Sequence, residues 1–391
     1  MNYILFDGTV RNQLLPFTYT RPVADIRIGI LTIREKWEQF LDSTTSTVTE
    51  DYLSEKWPMV EFPENIMINA SYLPTPNLVT IVKGMTDGQA IFDGDEVIAF
   101  YTKEDQEVDF DTYDIIEYSF EDLFKVQHTW DIFSKNARAI AEDYALLTEG
   151  RTSEPIPQMV VALNATDIFI EEGAKLPLCS LNAEDGPIYI GKDAEIMEGS
   201  MIRGPFALCE HGTVKMGAKI YSGTTIGPYC KVGGEVNNVV LFGYSSKGHD
   251  GFLGNAVLGE WCNIGADSNN SNLKNNYASV KLWDYETGRF ADTGLQFCGL
   301  MMGDHSKCGI NTMFNTGTVV GVATNIFGSG FPRNFVPSFQ WGGASGFVTH
   351  LPKKAFETAR IAMARRDIDL TEQDEAILNH VFEETKQYRR D

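Results

Sequence analysis

From Ile190 to Val232 apolar residues recur at every sixth position: Ile190, Ile196, Ile202, Leu208, Val214, Ile220, Ile226 and Val232. Four residues after each come Ala194, Ser200, Phe206, Gly212, Ala218, Thr224, Cys230 and Val236, all small or β-branched except Phe206. The spacing returns at Met302, Cys308, Phe314, Val320 and Ile326. It matches neither the helical period of 3.6 nor the strand period of two. It suits a chain that turns a corner every six residues and sends one branched side chain inward on each side. That is the hexapeptide pattern of a parallel β-helix. The period slips from Asn237 to Asp250 and resumes at Leu253-Gly254, Leu258-Gly259 and Ile264-Gly265. A polar insertion then breaks it from Asp267 to about Phe297. Breaks in a solenoid map to loops on one face, where binding sites are commonly built.

The flanks carry other periods. Tyr3-Ile4-Leu5-Phe6 reads as a short buried strand ending at the turn pair Asp7-Gly8. Ile66-Met67-Ile68-Asn69 and Val97-Ile98-Ala99-Phe100-Tyr101 read as further strands, and Ile30, Ile33, Trp37 and Leu41 mark one helix face. Ile140, Tyr144 and Leu147 support a connecting helix within about 120–147, followed by a linker at Arg151-Thr152-Ser153-Glu154-Pro155. Near the C-terminus Phe356, Ala359 and Met363 share a helix face. Thr371 and Asp374 form an N-cap pair before the stripe Ile377, Leu378, Val381, Phe382. The predicted order is an α/β domain over 1–150, a β-helix over 151–345 and C-terminal helices over 346–391.

Composition narrows the function classes. A hydrophobic content of 43% and a mean hydropathy of -0.18 describe an ordinary water-soluble chain. No apolar run is long enough for a membrane span or a signal peptide, so a cytoplasmic location without a membrane partner is expected. A net charge of -22 repels polyanions, which argues against nucleic acid as a partner. The six cysteines lack Cys-x-x-Cys spacing, and Cys230 and Cys262 fall in the small inward slot, so buried free thiols are expected.

The opening Ile4-Leu5-Phe6-Asp7-Gly8-Thr9-Val10-Arg11, with Leu15-Pro16-Phe17-Thr18 and Arg21-Pro22, resembles the start of sugar-1-phosphate nucleotidyltransferases. The resemblance implies a Rossmann-like domain. Its backbone N–H groups at Gly8 would surround a triphosphate, and Arg11 and Arg21 would offset phosphate charge. Val23 stands where the family has Lys, and Asn69-Ala70 where it has the Gly-Asp that holds Mg²⁺. An amide is a poor replacement for a carboxylate ligand, so no metal residue is assigned although the family uses Mg²⁺.

Lys247-Gly248-His249-Asp250-Gly251-Phe252-Leu253-Gly254-Asn255-Ala256, followed by Asn263-Ile264-Gly265-Ala266 and Asn272, resembles the acetyltransferase half of the bifunctional GlmU-type family, archaeal relatives included. Asp292-Thr293-Gly294 and Gly309-Ile310-Asn311-Thr312 echo the archaeal form. The resemblance implies a left-handed β-helix, a homotrimer, and direct acetyl transfer from acetyl-CoA to an amino-sugar phosphate. His249 would be the general base that makes the attacking amine neutral. Asn263, Asn272, Phe252 and Lys247 would contact the sugar, and Ala266 would lie against acetyl-CoA. Phe252 stands where the family has Tyr. The substrates implied are a sugar phosphate, a nucleoside triphosphate and an acyl-CoA. Two alternatives stay open: only one half is active, or the chain is a non-catalytic sugar-nucleotide-binding scaffold.

Overall fold

The computed structural model describes residues 1–116, 118 and 120–389. The chain forms two compact units, one made of residues 1–14, 20–26 and 31–128, the other of residues 15–19, 27–30 and 129–391. The architecture is an α/β domain, then a parallel β-solenoid, then C-terminal helices.

The first unit is built on a mixed sheet. Its strands are β1 (Asn2–Phe6), β2 (Thr45–Val48), β3 (Glu64–Asn69), β4 (Gln89–Asp93), β5 (Glu96–Lys103) and β6 (Asp114–Ile115), in the order β2-β1-β3-β5-β4-β6. β1 is parallel to both β2 and β3. Ile4, Leu5, Ile66 and Ile68 are almost wholly buried, as expected of central parallel strands covered on both faces. Helix α1 spans Ile33–Leu41 and is closed by a capping box between Thr32 and Glu35. The cap fixes the start at Ile33, so Ile30, expected on this helix, is buried just ahead of it. Helices α2 (Asp51–Ser54) and α3 (Pro76–Gly84) complete the unit.

In the second unit the six-residue ladder forms three parallel faces. The inward column of one face runs Ile170, Ile190, Leu208, Ile226, Leu241, Leu258, Met302, Val320, Val336. A second runs Ile196, Val214, Val232, Lys247, Ile264, Cys308, Ile326. A third holds Leu181, Ile202, Ile220, Val236 and Leu253, and farther on Asn270 paired with Phe314. The expected inward positions are buried, and all six cysteines are buried free thiols.

The ladder does not stop at the slip. Strands Glu235–Gly243, Ser246–Lys247 and Phe252–Glu260 continue it, with Lys247 in the inward column between Val232 and Ile264. The insertion also begins later than the pattern implies. Asn269–Asn270 still forms a rung, and the break is closed by a bridge between Leu273 and Phe297. Between them an antiparallel pair, Lys281–Asp284 with Arg289–Asp292, projects as a hairpin.

At one corner of successive coils a non-glycine residue takes a left-handed backbone: His211, Tyr229, Tyr244, Trp261 and His305 have φ between 53° and 60°. Their rings stack in a column, with centroids 4.6, 5.2, 4.4 and 6.4 Å apart. Aromatic contact of this kind offsets part of the backbone cost at each corner.

The connecting helix is two helices, α4 (Thr129–Ser134) and α5 (Asn136–Thr148), and both belong to the solenoid unit. Asn136 Nδ2 donates to Gly223 O at 2.8 Å and to Thr225 Oγ1 at 2.9 Å. The linker is tied down as well: Ile170 N donates to Ser153 Oγ, and Glu154 N to Ile170 O, each at 2.9 Å. Helix α6 (Pro352–Ala364) buries Phe356, Ala359 and Met363, and α7 (Glu372–Glu384) opens on the Thr371–Asp374 capping box.

Candidate functional site

The first unit gathers its polar side chains at the carboxyl ends of β1 and β3, where ligands of open α/β sheets bind. Phe6 pairs with Asn69, so Asp7-Gly8 and Asn69-Ala70 leave the sheet side by side. Gly8 has φ +63°, and a Cβ there would stand 2.7 Å from Asn69 Oδ1, so only glycine suits the turn.

Arg11 and Arg21 are both buried, at 7% and 5% exposure. Arg11 Nε lies 3.3 Å from Asp7 Oδ2, and its Nη2 donates to Tyr52 OH at 2.7 Å. Asp7 also accepts from Val23 N at 2.7 Å and Thr49 Oγ1 at 2.6 Å. Burial raises the Asp7 carboxyl above its ordinary value despite these donors and the nearby Arg11 charge.

Asn69 is fully engaged. Its Oδ1 accepts from Ser71 N and Ser71 Oγ, and its Nδ2 donates to Val97 O at 3.1 Å and Glu96 Oε1 at 3.3 Å. An amide committed in this way does not fit a Mg²⁺ ligand. Among the described residues no group of three or more His, Cys, Asp or Glu side chains is placed to hold a metal ion.

Beside Asn69 lies a cluster that sequence reasoning missed. Tyr72 OH donates to Asp93 Oδ2 at 2.9 Å and to Glu96 Oε2 at 3.2 Å. Thr9 Oγ1 donates to Glu96 Oε1 at 3.2 Å, and Lys125 Nζ pairs with Glu96 Oε2. Burial works to raise the Glu96 carboxyl, but Lys125, Tyr72 and Thr9 outweigh it and hold it below the usual range. Asp93 and Glu96 flank the Gly94-Asp95 hairpin turn between β4 and β5, which was the available signal. Lys125 is brought in by an isolated bridge to Tyr72, a contact no local pattern announces.

The second unit disperses its expected site residues. His249 is exposed in the turn after Ser246–Lys247. Lys247 is 1% exposed, and its ammonium reaches back to donate to the carbonyl oxygen of His249. Burial pushes this amine down to about 8, against a partial upward pull from Asp250, Cys308 and Asp267.

Phe252 and Asn272 come together over Gly254. A Cβ at Gly254 would meet Phe252 Cζ at 2.4 Å and Asn272 Nδ2 at 3.0 Å, so the absent side chain makes their shared floor. Asn272 Nδ2 donates to Asn255 Oδ1 at 2.8 Å, and Phe252 N donates to Asn269 Oδ1 at 2.7 Å. Asn263 belongs to a different face, exposed between Ser246 and Lys307 in the ladder. Ala266 sits at the following corner, where its carbonyl accepts from Asn311 N at 2.8 Å. Asn255 and Asn269, which hold the Phe252–Asn272 pair, were not singled out by the sequence pattern.

Residues 3–152 match the model of a family described as sugar nucleotidyl transferase. No curated protein matches the chain. The polySia-specific acetyltransferase NeuO is similar at 14% identity and a TM-score of 0.25, over 49% of this chain and 85% of that one. A UDP-N-acetylglucosamine acyltransferase from Arabidopsis is similar at 16% and 0.24, over 55% and 80%. LpxA, a UDP-N-acetylglucosamine acyltransferase from Bacteroides fragilis 9343, is similar at 12% and 0.24, over 57% and 96%. Scores of this size carry nothing about the chemistry of this chain.

Proposed function

We propose that the protein is a transferase of sugar-nucleotide metabolism whose first unit joins a sugar-1-phosphate to a nucleoside triphosphate. The observation that carries this reading is the family match over residues 3–152, which spans the Gly8 turn and the Glu96–Lys125 cluster. In the proposed reaction a sugar phosphate oxygen bonds to the α-phosphorus, the bond to the bridging oxygen breaks, and pyrophosphate leaves. Backbone N–H groups at Gly8 and Thr9 hold the triphosphate, and Lys125 supplies the cation that the chain lacks at Val23. Arg11, bound to Asp7 and Tyr52, fixes the loop rather than touching the nucleotide. Mg²⁺ enters no step, because Asn69 does not fit it. Pyrophosphate release from a panel of nucleoside triphosphates and sugar-1-phosphates tests the reading. Release that is lost in Lys125→Met supports it, and no release from any pair overturns it.

A second activity rests on the residues around His249. The amine of an amino-sugar phosphate bonds to the acetyl carbon of acetyl-CoA, the carbon–sulfur bond breaks, and His249 takes the amine proton. The observation favouring it is the bond from Lys247 to the His249 carbonyl, which ties an otherwise exposed turn to the core. In this reading Phe252 and Asn272 form one sugar-facing floor, Lys247 acts by positioning His249, and Asn263 and Ala266 lie toward the acyl donor. A homotrimer and a left-handed coil go with it. CoA release with amino-sugar phosphates, compared between wild type and His249→Ala, is the test. Equal release from the two proteins removes His249 from the chemistry.

A further inference from the structure

Beyond the two proposed centres, the solenoid unit contains a cavity of about 1150 Å³ where the inserted hairpin meets the last coils. Trp283 and Phe290 of the hairpin line one side, and Phe335 and Gln340 of the final rungs another. Its size fits a small organic ligand rather than a single ion.

The charge of its lining runs against the charge of the protein. The chain carries -22 overall, yet Lys274, Lys281 and Arg333 line the cavity and no carboxylate does among the described residues. Lys281 and Arg333 are exposed, so they are not consumed by burial in the fold. Low-charge ligands and cations gain nothing from three ammonium and guanidinium groups, whereas a phosphate does.

Two further features point to a flat ring attached to that phosphate. Phe290 and Phe331 are 43% and 53% exposed, which leaves ring faces open to stacking. Trp283 is already clamped face to face on Phe335, at 4.2 Å and 6°, so it forms a rigid wall. The lining also holds donors without acceptors. Gln340 is 3% exposed with its Nε2 unpartnered, and the Trp283 indole N–H is buried and unpartnered too. Buried donors are normally satisfied, so this pair lacks acceptors that ring nitrogens or carbonyl oxygens of a ligand would supply.

We infer that this cavity binds a planar heteroaromatic ring carrying phosphate, the chemistry of a nucleotide. The cations hold the phosphate, the phenylalanine rings hold the base, and Gln340 with Trp283 read its edge acceptors. A free nucleotide and the nucleotide end of coenzyme A share this chemistry.

Titration of the full chain with ADP, UDP, CoA and inorganic pyrophosphate tests the inference, read by calorimetry and by quenching of Trp283 fluorescence. A nucleotide-bearing probe is expected to bind with a Kd below about 1 mM and to quench fluorescence in wild type but not in Trp283→Phe. Lys281→Glu with Arg333→Glu should weaken that quenching interaction about tenfold or more, at an unchanged melting temperature. Phe331→Ala should weaken ADP, UDP or CoA and leave pyrophosphate unchanged. CoA binding at least about tenfold tighter than ADP identifies the acyl carrier as the source. Equal binding shows that the nucleotide alone suffices. Both outcomes support the inference. Quenching should persist in Lys125→Met and His249→Ala, which separates this cavity from both proposed centres. Absence of quenching by every probe, or quenching insensitive to charge reversal, overturns it.

Discussion

Replacing Lys247 by Met should make the protein more stable at neutral pH. The side chain lies in an inward column between Val232 and Ile264 and is 1% exposed. A fall from its ordinary 10.5 to about 8 corresponds to about 3 kcal/mol of preference for the neutral amine in the folded chain. Below pH 8 the folded protein therefore carries the whole cost of an enclosed ammonium. From pH 8 to 10.5 the unfolded chain still binds a proton that the folded chain has released, so stability rises with pH. Above that window the cost is gone. The compensating gain is the bond to the His249 carbonyl, worth about 1.5–3 kcal/mol for a charged donor.

Met fills a similar volume without the charge and continues the apolar column. At pH 7 the variant should gain about 1 kcal/mol, or about 2 °C in melting temperature for a chain of this size. The advantage should shrink above pH 8, cross zero near about pH 9 and turn into a deficit of about 2 kcal/mol above pH 10.5, since wild type regains about 3 kcal/mol over that window. Melting curves of both proteins at pH 7, 8, 9 and 10 provide the check. The buried cysteines titrate upward in both chains, so the difference between the proteins isolates Lys247. A variant that melts below wild type at pH 7 would refute the reasoning, as would a gap that does not narrow with pH.

Asn270 fills another inward slot, accepting from Gly254 N and donating to Gly254 O at 2.8 Å each. Asn270→Ala strands two buried backbone groups and should cost about 2–4 kcal/mol, read by denaturant unfolding; a loss under about 1 kcal/mol means water replaces the amide. Leu258→Ala empties a 0% exposed position between Leu241 and Met302 and should cost about 3 kcal/mol by the same measurement. Lys125→Met removes the cation that holds Glu96 below the usual carboxylate range. Wild type keeps that contribution above the unfolded carboxyl value of 4.5 and loses it as pH falls through the lower folded value. The variant should therefore show a flatter melting profile between about pH 5 and 3, and an unchanged slope would remove Lys125 as the stabilising partner.

The ladder was legible because a solenoid repeats one local rule. Each inward slot accepts an apolar side chain, so Ile190 through Val232 announce themselves. The reading failed where a slot is filled by something else. Lys247 and Asn270 satisfy the coil geometry through hydrogen bonds to His249 and Gly254, which a hydrophobic period cannot register. The slip is a real change of period, since Leu208 pairs with Ile226 one regular coil on but Ile226 pairs with Leu241 after a shorter one; only the early start of the insertion comes from counting Asn270 as a break. The first unit shows a different limit. Gly8 and Asn69 could be placed from the ends of two strands, but Lys125 reaches Glu96 only through a long-range bridge to Tyr72. The family resemblance grouped Asn263 and Asn272, and the coil separates them by carrying the chain around a corner. In a β-helix, residues about one coil apart become neighbours while residues half a coil apart face different ways. That rule joins Phe252 to Asn269, and it makes Lys247 the one charged member of an apolar column.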